Sequence, residues 1–333
     1  MSKLFYRHAR LMHGLERGVD YYGWVHMNRQ GFRRALDVSL TPTDSVYRII
    51  TVGSSTTFDG NTSGDSSTWS ARLEQTLNAG GGRRYEVLNA GVPGFEIFDD
   101  LVRLELELSR FKPNLIILYE GHNDLFNTLA RAGGVRDASF DPRPFEVTPM
   151  APWTLWLERH SLLYHKLRSR FQAVRQRASG QERLARATPA DFARVVDAGL
   201  ETYGRNLRAF LAVAQSQGIT VVIPQLVYTA EADAEHGTNS TVDALWRNAI
   251  PFAPPEVVWS SYARLDSVAR AAAAEYHAAH IQAADSSLYW LDAYSIGDPI
   301  HFNDVGAWRM GRHLAAAVSR LPSVTVGIRY HSE

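Results

Sequence analysis

The chain has 333 residues, 45% hydrophobic and 21% charged, with 35 Lys plus Arg against 35 Asp plus Glu and no cysteine. That balance excludes wholesale disorder and argues against a nucleic-acid binder, which normally carries a basic excess. The missing cysteine excludes disulfides, thiolate zinc sites and a Cys nucleophile. No apolar run approaches the ~18 residues of a membrane span, and residues 1–20 mix Arg, His and Glu into their apolar positions, unlike a secretory leader. The expectation is a soluble chain without a leader as given, its compartment open: cytoplasmic as written, extracytoplasmic if a leader was removed.

Residues 1–46 are rich in aromatics and Arg but have no long period. They are expected to form an N-terminal extension packed on the domain that follows. Residues 46–52 are the first predicted strand, entering the turn Gly53-Ser54-Ser55-Thr56-Thr57. Trp69, Leu73 and Leu77 then recur every four residues, as one helix face does, and Gly80-Gly81-Gly82 ends that helix. Tyr85-Glu86-Val87-Leu88 is a second strand, followed by Asn89-Ala90-Gly91-Val92-Pro93-Gly94. Ile97, Leu101, Leu104, Leu108 and Phe111 mark another helix, and residues 115–119 are a continuous apolar run, as in a strand covered on both faces.

The alternation resumes with a helix around Leu200, Tyr203, Leu207, Phe210 and Leu211, a strand at residues 219–223, and a helix over residues 261–280. A last helix follows His301. Such alternation predicts a parallel sheet wrapped by helices. Two stretches break it, residues 125–189 and 225–259, both after strands on the edge where binding loops lie. They are expected to be cap-like insertions within one domain spanning residues 47–330, not a second domain.

Ester hydrolysis by a serine needs a nucleophile, a base, an orienter for the base, and donors for the oxyanion. Ser55, lifted above the sheet edge at the end of a strand, supplies the first. Asp298-Pro299-Ile300-His301, just before the last helix, supplies the next two: His301 to take the serine proton, Asp298 to hold its other ring nitrogen. The loop at Gly91-Val92-Pro93-Gly94 and the side chain of Asn123, in Gly121-His122-Asn123-Asp124, are candidate oxyanion donors. A literal Gly64-Asp65-Ser66 competes as nucleophile, but no strand precedes it, and Ser66, Ser67 and Thr68 read as capping residues for the helix at Trp69.

Taken in chain order, the four blocks Gly53-Ser54-Ser55, Asn89-Ala90-Gly91-Val92-Pro93-Gly94, Gly121-His122-Asn123-Asp124 and Asp298-Pro299-Ile300-His301 resemble the SGNH hydrolases, also called GDSL-type esterases and lipases. The resemblance covers roughly residues 47–320. It departs from the family at one place, where Ser54 stands in the usual Asp position of Gly-Asp-Ser. It implies a flavodoxin-like three-layer α/β/α fold with a five-stranded parallel sheet. It also implies a Ser55–His301–Asp298 triad, an oxyanion hole from the Ser55 N–H, the Gly94 N–H and the Asn123 side chain, and no metal or organic cofactor. The expected substrate is a small ester, a short acyl ester or an acylated carbohydrate.

Three functional readings share these residues. The first is a serine carboxylic ester hydrolase working through an acyl-enzyme. The second is an O-acyltransferase onto a sugar hydroxyl with the same triad. The third is a non-catalytic carbohydrate- or lipid-binding domain on the same fold. Outside the four blocks, His277 and His280 are expected one helical turn apart, a spacing that suits a metal but has no nearby third ligand. Arg168, Arg170, Arg175, Arg177, Arg183 and Arg186 read as a solvated helix face. Trp153, Trp156, Trp246, Phe252 and Trp259 could line an acyl or sugar pocket or pack the cap.

Overall fold

A computed structural model describes residues 4–6, 11, 13–21, 23–132, 187–230 and 239–322, with single positions at 164, 171 and 174. Two short antiparallel hairpins come first. β1 (Phe5–Tyr6) pairs with β2 (Gly14–Leu15), and β3 (Val19–Tyr21) pairs with β4 (Val25–Met27). Leu4, Leu15, Val25 and Met27 from these hairpins join Phe58, Val92 and Phe95 in a small core of their own. The hairpins therefore pack on the loops that follow the first two strands of the main sheet.

That sheet contains β5 (Val46–Gly53), β6 (Arg84–Asn89), β7 (Leu115–Tyr119), β8 (Thr220–Pro224) and β9 (Ala279–Ile281), ordered β6-β5-β7-β8-β9. All pairs are parallel. Every residue of β7 is buried, as its unbroken apolar run requires. The order is that of flavodoxin-like sheets, in which the crevice beyond the carboxyl ends of the first and third strands takes the ligand.

The helices are α1 (Ser55–Phe58), α2 (Trp69–Ala79), α3 (Ile97–Leu106), α4 (His122–Leu129), α5 (Pro189–Ser216), α6 (Asn239–Ala249), α7 (Pro255–Glu275) and α8 (Asp304–Val318). α2 packs on α8, while α3, α4 and α7 gather around the long α5, giving the three-layer α/β/α arrangement. The buried faces of α2 (Trp69, Leu73, Leu77) and α5 (Leu200, Tyr203, Leu207, Phe210, Leu211) are those the spacing predicts. Among the described residues no helix is long and apolar enough to cross a membrane.

Two expectations are corrected. The helix over residues 261–280 instead runs Pro255–Glu275, and His277 turns into the left-handed region at φ 55°. The chain then enters β9, so His277 and His280 share no helical turn; His280 Nε2 lies 2.9 Å from Asp266 Oδ1 instead. Residues 225–259 are also less irregular than their composition. α6 occupies part of them and α7 begins at Pro255, where proline at the first helical position costs no hydrogen bond. Trp246 is buried and donates its indole N–H to the Thr229 carbonyl at 2.8 Å, so it packs the interior. Trp153, Trp156 and the six arginines of the predicted basic face lie outside the described residues.

Candidate active site

The strand β5 ends where Gly53 pairs with Tyr119 of β7. A side chain at Gly53 would place its Cβ 2.2 Å from the Tyr119 carbonyl oxygen, and its φ of 148° is one that L side chains rarely adopt. Glycine is thus required for β5 to lie against β7 and then turn sharply into α1, whose first residue is Ser55. That turn is held from below. Thr57 Oγ1 donates to Tyr119 O at 3.0 Å, Asn89 Nδ2 to Thr57 O at 2.8 Å, and the Trp69 indole to Thr56 O at 2.9 Å.

The partner of Ser55 arrives from 246 residues away. Ser55 Oγ lies 2.8 Å from His301 Nε2, and His301 Nδ1 lies 2.7 Å from Asp298 Oδ2. Asp298 Oδ1 also accepts the backbone N–H groups of Ile300 and His301, both at 3.0 Å, which closes the loop into a compact turn. Asn303 ends that turn by capping α8: its Oδ1 accepts from Val305 and Gly306 N–H, and its amide donates to Asp292 and Tyr294 carbonyls.

Burial acts to raise the Asp298 pKa. The hydrogen bond and charge of His301, with the two backbone donors, outweigh it and hold the carboxyl below the usual carboxylate range. A carboxylate at Nδ1 fixes the tautomer that leaves Nε2 free to accept the Ser55 proton.

Asn123 is the second residue of α4 and donates through Nδ2 to the Phe95 carbonyl at 2.8 Å. A primary amide carries two N–H groups, so this bond leaves the other available while pinning Asn123 to the loop that contains Gly94. That loop is fastened on its far side by the N-terminal segment: His13 Nε2 lies 2.8 Å from the Pro93 carbonyl, and the His13 ring packs against Phe5 and Phe95. The Ser55 N–H begins a helix, where the first N–H groups lack an intrahelical acceptor. The structure therefore joins Ser55, His301 and Asp298 by direct hydrogen bonds. It brings Asn123 and the Gly94 loop together at the same sheet edge.

Several contributors escape sequence reasoning. His13 sits 80 residues from the carbonyl it meets, in a segment with no periodic signal. Tyr262 of α7 shares a 2.6 Å hydrogen bond with His122 Nδ1. Burial, then the nearby His301, pushes the His122 pKa down to about 3, so this ring stays neutral. Beneath the Ser54–Ser55 turn lie two buried carboxyls, Asp100 and Glu120. The only hint of Glu120 in the sequence is its place immediately before Gly121.

Ser66 is exposed in a 3-10 turn (Asp65–Ser67), and it is Thr68 that caps α2, accepting from the Ala71 N–H at 3.2 Å. Among the described residues no group of three His, Cys, Asp or Glu side chains could hold a metal ion.

A model of the GDSL-like lipase/acylhydrolase family matches residues 51–309. No curated protein matches the chain. Among solved structures, it is similar to an acetylxylan esterase from Geobacillus stearothermophilus, at 13% identity and a TM-score of 0.47 over 82% of this chain and 94% of that one. It is also similar to a lipase/acylhydrolase from Enterococcus faecalis, at 17% identity and a TM-score of 0.45 over 81% of this chain and 94% of that one.

Proposed function

As the chain belongs to the GDSL-like lipase/acylhydrolase family, we propose that it hydrolyses small carboxylic esters through a serine acyl-enzyme. The observation that carries this reading is the unbroken chain of hydrogen bonds from Ser55 Oγ through His301 to Asp298. Ser55 Oγ attacks the ester carbonyl carbon while its proton passes to His301 Nε2. The tetrahedral oxyanion is met by the Ser55 and Gly94 N–H groups and the second N–H of Asn123, donors that strengthen as charge builds on that oxygen. The C–O bond to the leaving alcohol breaks and His301 returns the proton to the alkoxide. Water then attacks the acyl-enzyme with His301 as base and releases the carboxylic acid.

Asp298 stays ionised throughout and stabilises the imidazolium that forms twice in the cycle. The test is covalent labelling by a fluorophosphonate, with the adduct located by peptide mass spectrometry. The expected adduct is on Ser55. An unlabelled protein, or an adduct on Ser66, overturns the reading.

A further inference from the structure

Directly beneath the nucleophile turn, Ser54, Asp100 and Glu120 are all buried, at 0%, 0% and 3% exposure. Glu120 Oε1 accepts the Gly121 N–H at 2.8 Å. Its carboxyl also faces the Ser54 hydroxyl and the Asp100 carboxyl, near enough for each to act on its charge. Both oxygens of Asp100, Oε2 of Glu120 and Oγ of Ser54 are buried without a hydrogen-bond partner among the described residues. An ionised carboxylate buried with so few donors is costly, and two facing carboxylates cannot both ionise. One proton held between them removes the difficulty, because a protonated carboxyl donates where a carboxylate only accepts.

We propose that Asp100 and Glu120 share a proton and, as one pair, position the Ser54–Ser55 turn and the Gly121–Asn123 turn for the ester chemistry. The proton-sharing stands on the cluster alone, while the positioning role rests on the esterase reading above. Each member belongs to a segment that supplies an oxyanion donor. Ser54 precedes Ser55, Glu120 lies three residues before Asn123, and Asp100 lies on α3, six residues after Gly94. The trio thus locks all three donors to one another from below.

The surrounding charges favour the protonated pair. Asp99 and Asp124 add negative potential from α3 and α4; their carboxylates accept the Glu96 and Ile97 N–H groups. Arg103 of α3 attracts Asp100, but its guanidinium donates to the Ala90 and Gly31 carbonyls and to Glu107. Tyr203 of α5 donates to the Glu120 carbonyl at 3.3 Å, and Tyr119 of β7 stands beside it. Burial pushes both carboxyl pKa values up, and the pull of Arg103 on Asp100 does not cancel it. The cluster also accounts for Ser54. An Asp in its place, usual in the family, would add a third carboxylate to the pair.

The test combines infrared difference spectroscopy with kinetics on the full chain. Above about pH 8, where a group titrating near Asp59's value of about 7 has ionised, the wild type should keep the carbonyl band of a protonated carboxylic acid. Glu120→Gln should lose that band and, because its amide still donates and accepts, keep kcat within about threefold. Glu120→Leu should lower kcat by about 10²-fold with KM nearly unchanged, the effect of a small misplacement of reacting groups.

Absence of the band in the wild type, or its survival in Glu120→Gln, overturns the proposal. So does wild-type kcat in folded Glu120→Leu; if that variant does not fold, the band and Glu120→Gln still decide. Failure to label the wild type with fluorophosphonate would sink the esterase reading and the positioning role with it, leaving the band to decide proton-sharing separately.

Discussion

The molecule contains two Gly-x-Ser turns eleven residues apart, and they have opposite fates. Gly53-Ser54-Ser55 leaves a buried strand at the carboxyl edge of the sheet, and Ser55 meets His301 at 2.8 Å. Gly64-Asp65-Ser66 matches the family's usual tripeptide letter for letter, yet Ser66 is exposed and its neighbour does structural work. Asp65 accepts the His26 N–H at 3.1 Å, lies 2.7 Å from His26 Nδ1, and accepts Arg33 Nε at 3.0 Å. A matching tripeptide does not by itself set a serine beside a histidine. The strand before it and the residue across from it do.

The sharpest way to break that comparison is to remove each serine. Ser55→Ala should lower kcat by about 10⁶-fold, the usual cost of a lost triad serine, while Ser66→Ala stays near wild type. Comparable losses in steady-state hydrolysis would erase the distinction. Asn123→Ala should lower kcat by about 10²–10³-fold with KM within a few-fold. If Asn123 only shapes its turn, the same variant would show a lower Tm and normal turnover.

Asp65→Ala tests the other side. Arg33 has a fully buried side chain, and stripping a partner from a buried ion pair costs about 3 kcal/mol. The melting temperature should fall while kcat of the folded protein stays within a few-fold.

The smallest effect falls on Asp59, which joins the two turns by accepting the Trp69 N–H at 2.8 Å. Burial raises its pKa from 3.8 to about 7, against the pull of that hydrogen bond and of Arg33. A pKa raised on folding means the native state binds the proton more tightly. The stabilisation is complete below the unfolded value and is lost as pH rises through about 7. Chemical denaturation should find the wild type more stable at pH 6 than at pH 8 by on the order of 1 kcal/mol from this group. Asp59→Asn, which can still accept from Trp69, should remove that difference.

The same contrast explains what the sequence could and could not reveal. β5, β6, β7 and β8 are legible because each is a β-branched or apolar run bounded by turn residues. The four chemical blocks are legible because they sit at the ends of those strands or at a helix start. β9 is hidden. It has only three residues, half-buried, after a helix whose alanine-rich end carries no glycine stop signal. α6 is hidden by composition, although Val242 and Trp246 bury one side at a spacing of four.

Within the site, proximity along the chain sets the limit. Asp298 and His301 can be paired by their spacing of three. Nothing local connects His13 to Pro93, or Asp100 to Glu120, because those contacts exist only after the sheet and its helices have assembled.

The packing of α8 on α2 has a consequence for when Ser55 and His301 can meet as the chain is made. A Cβ at Gly311 would fall 2.5 Å from Arg72 Cβ and 2.9 Å from the Trp69 carbonyl oxygen. Only glycine lets these helices meet so closely, and the same docking sets down the turn bearing His301 just ahead of α8. Ser55 and His301 lie 246 residues apart, so their contact exists only once α8 has been made and has docked on α2. The 2.8 Å contact between Ser55 and His301 therefore cannot form on a partly made chain, which ties the pairing of the two side chains to completion of the fold.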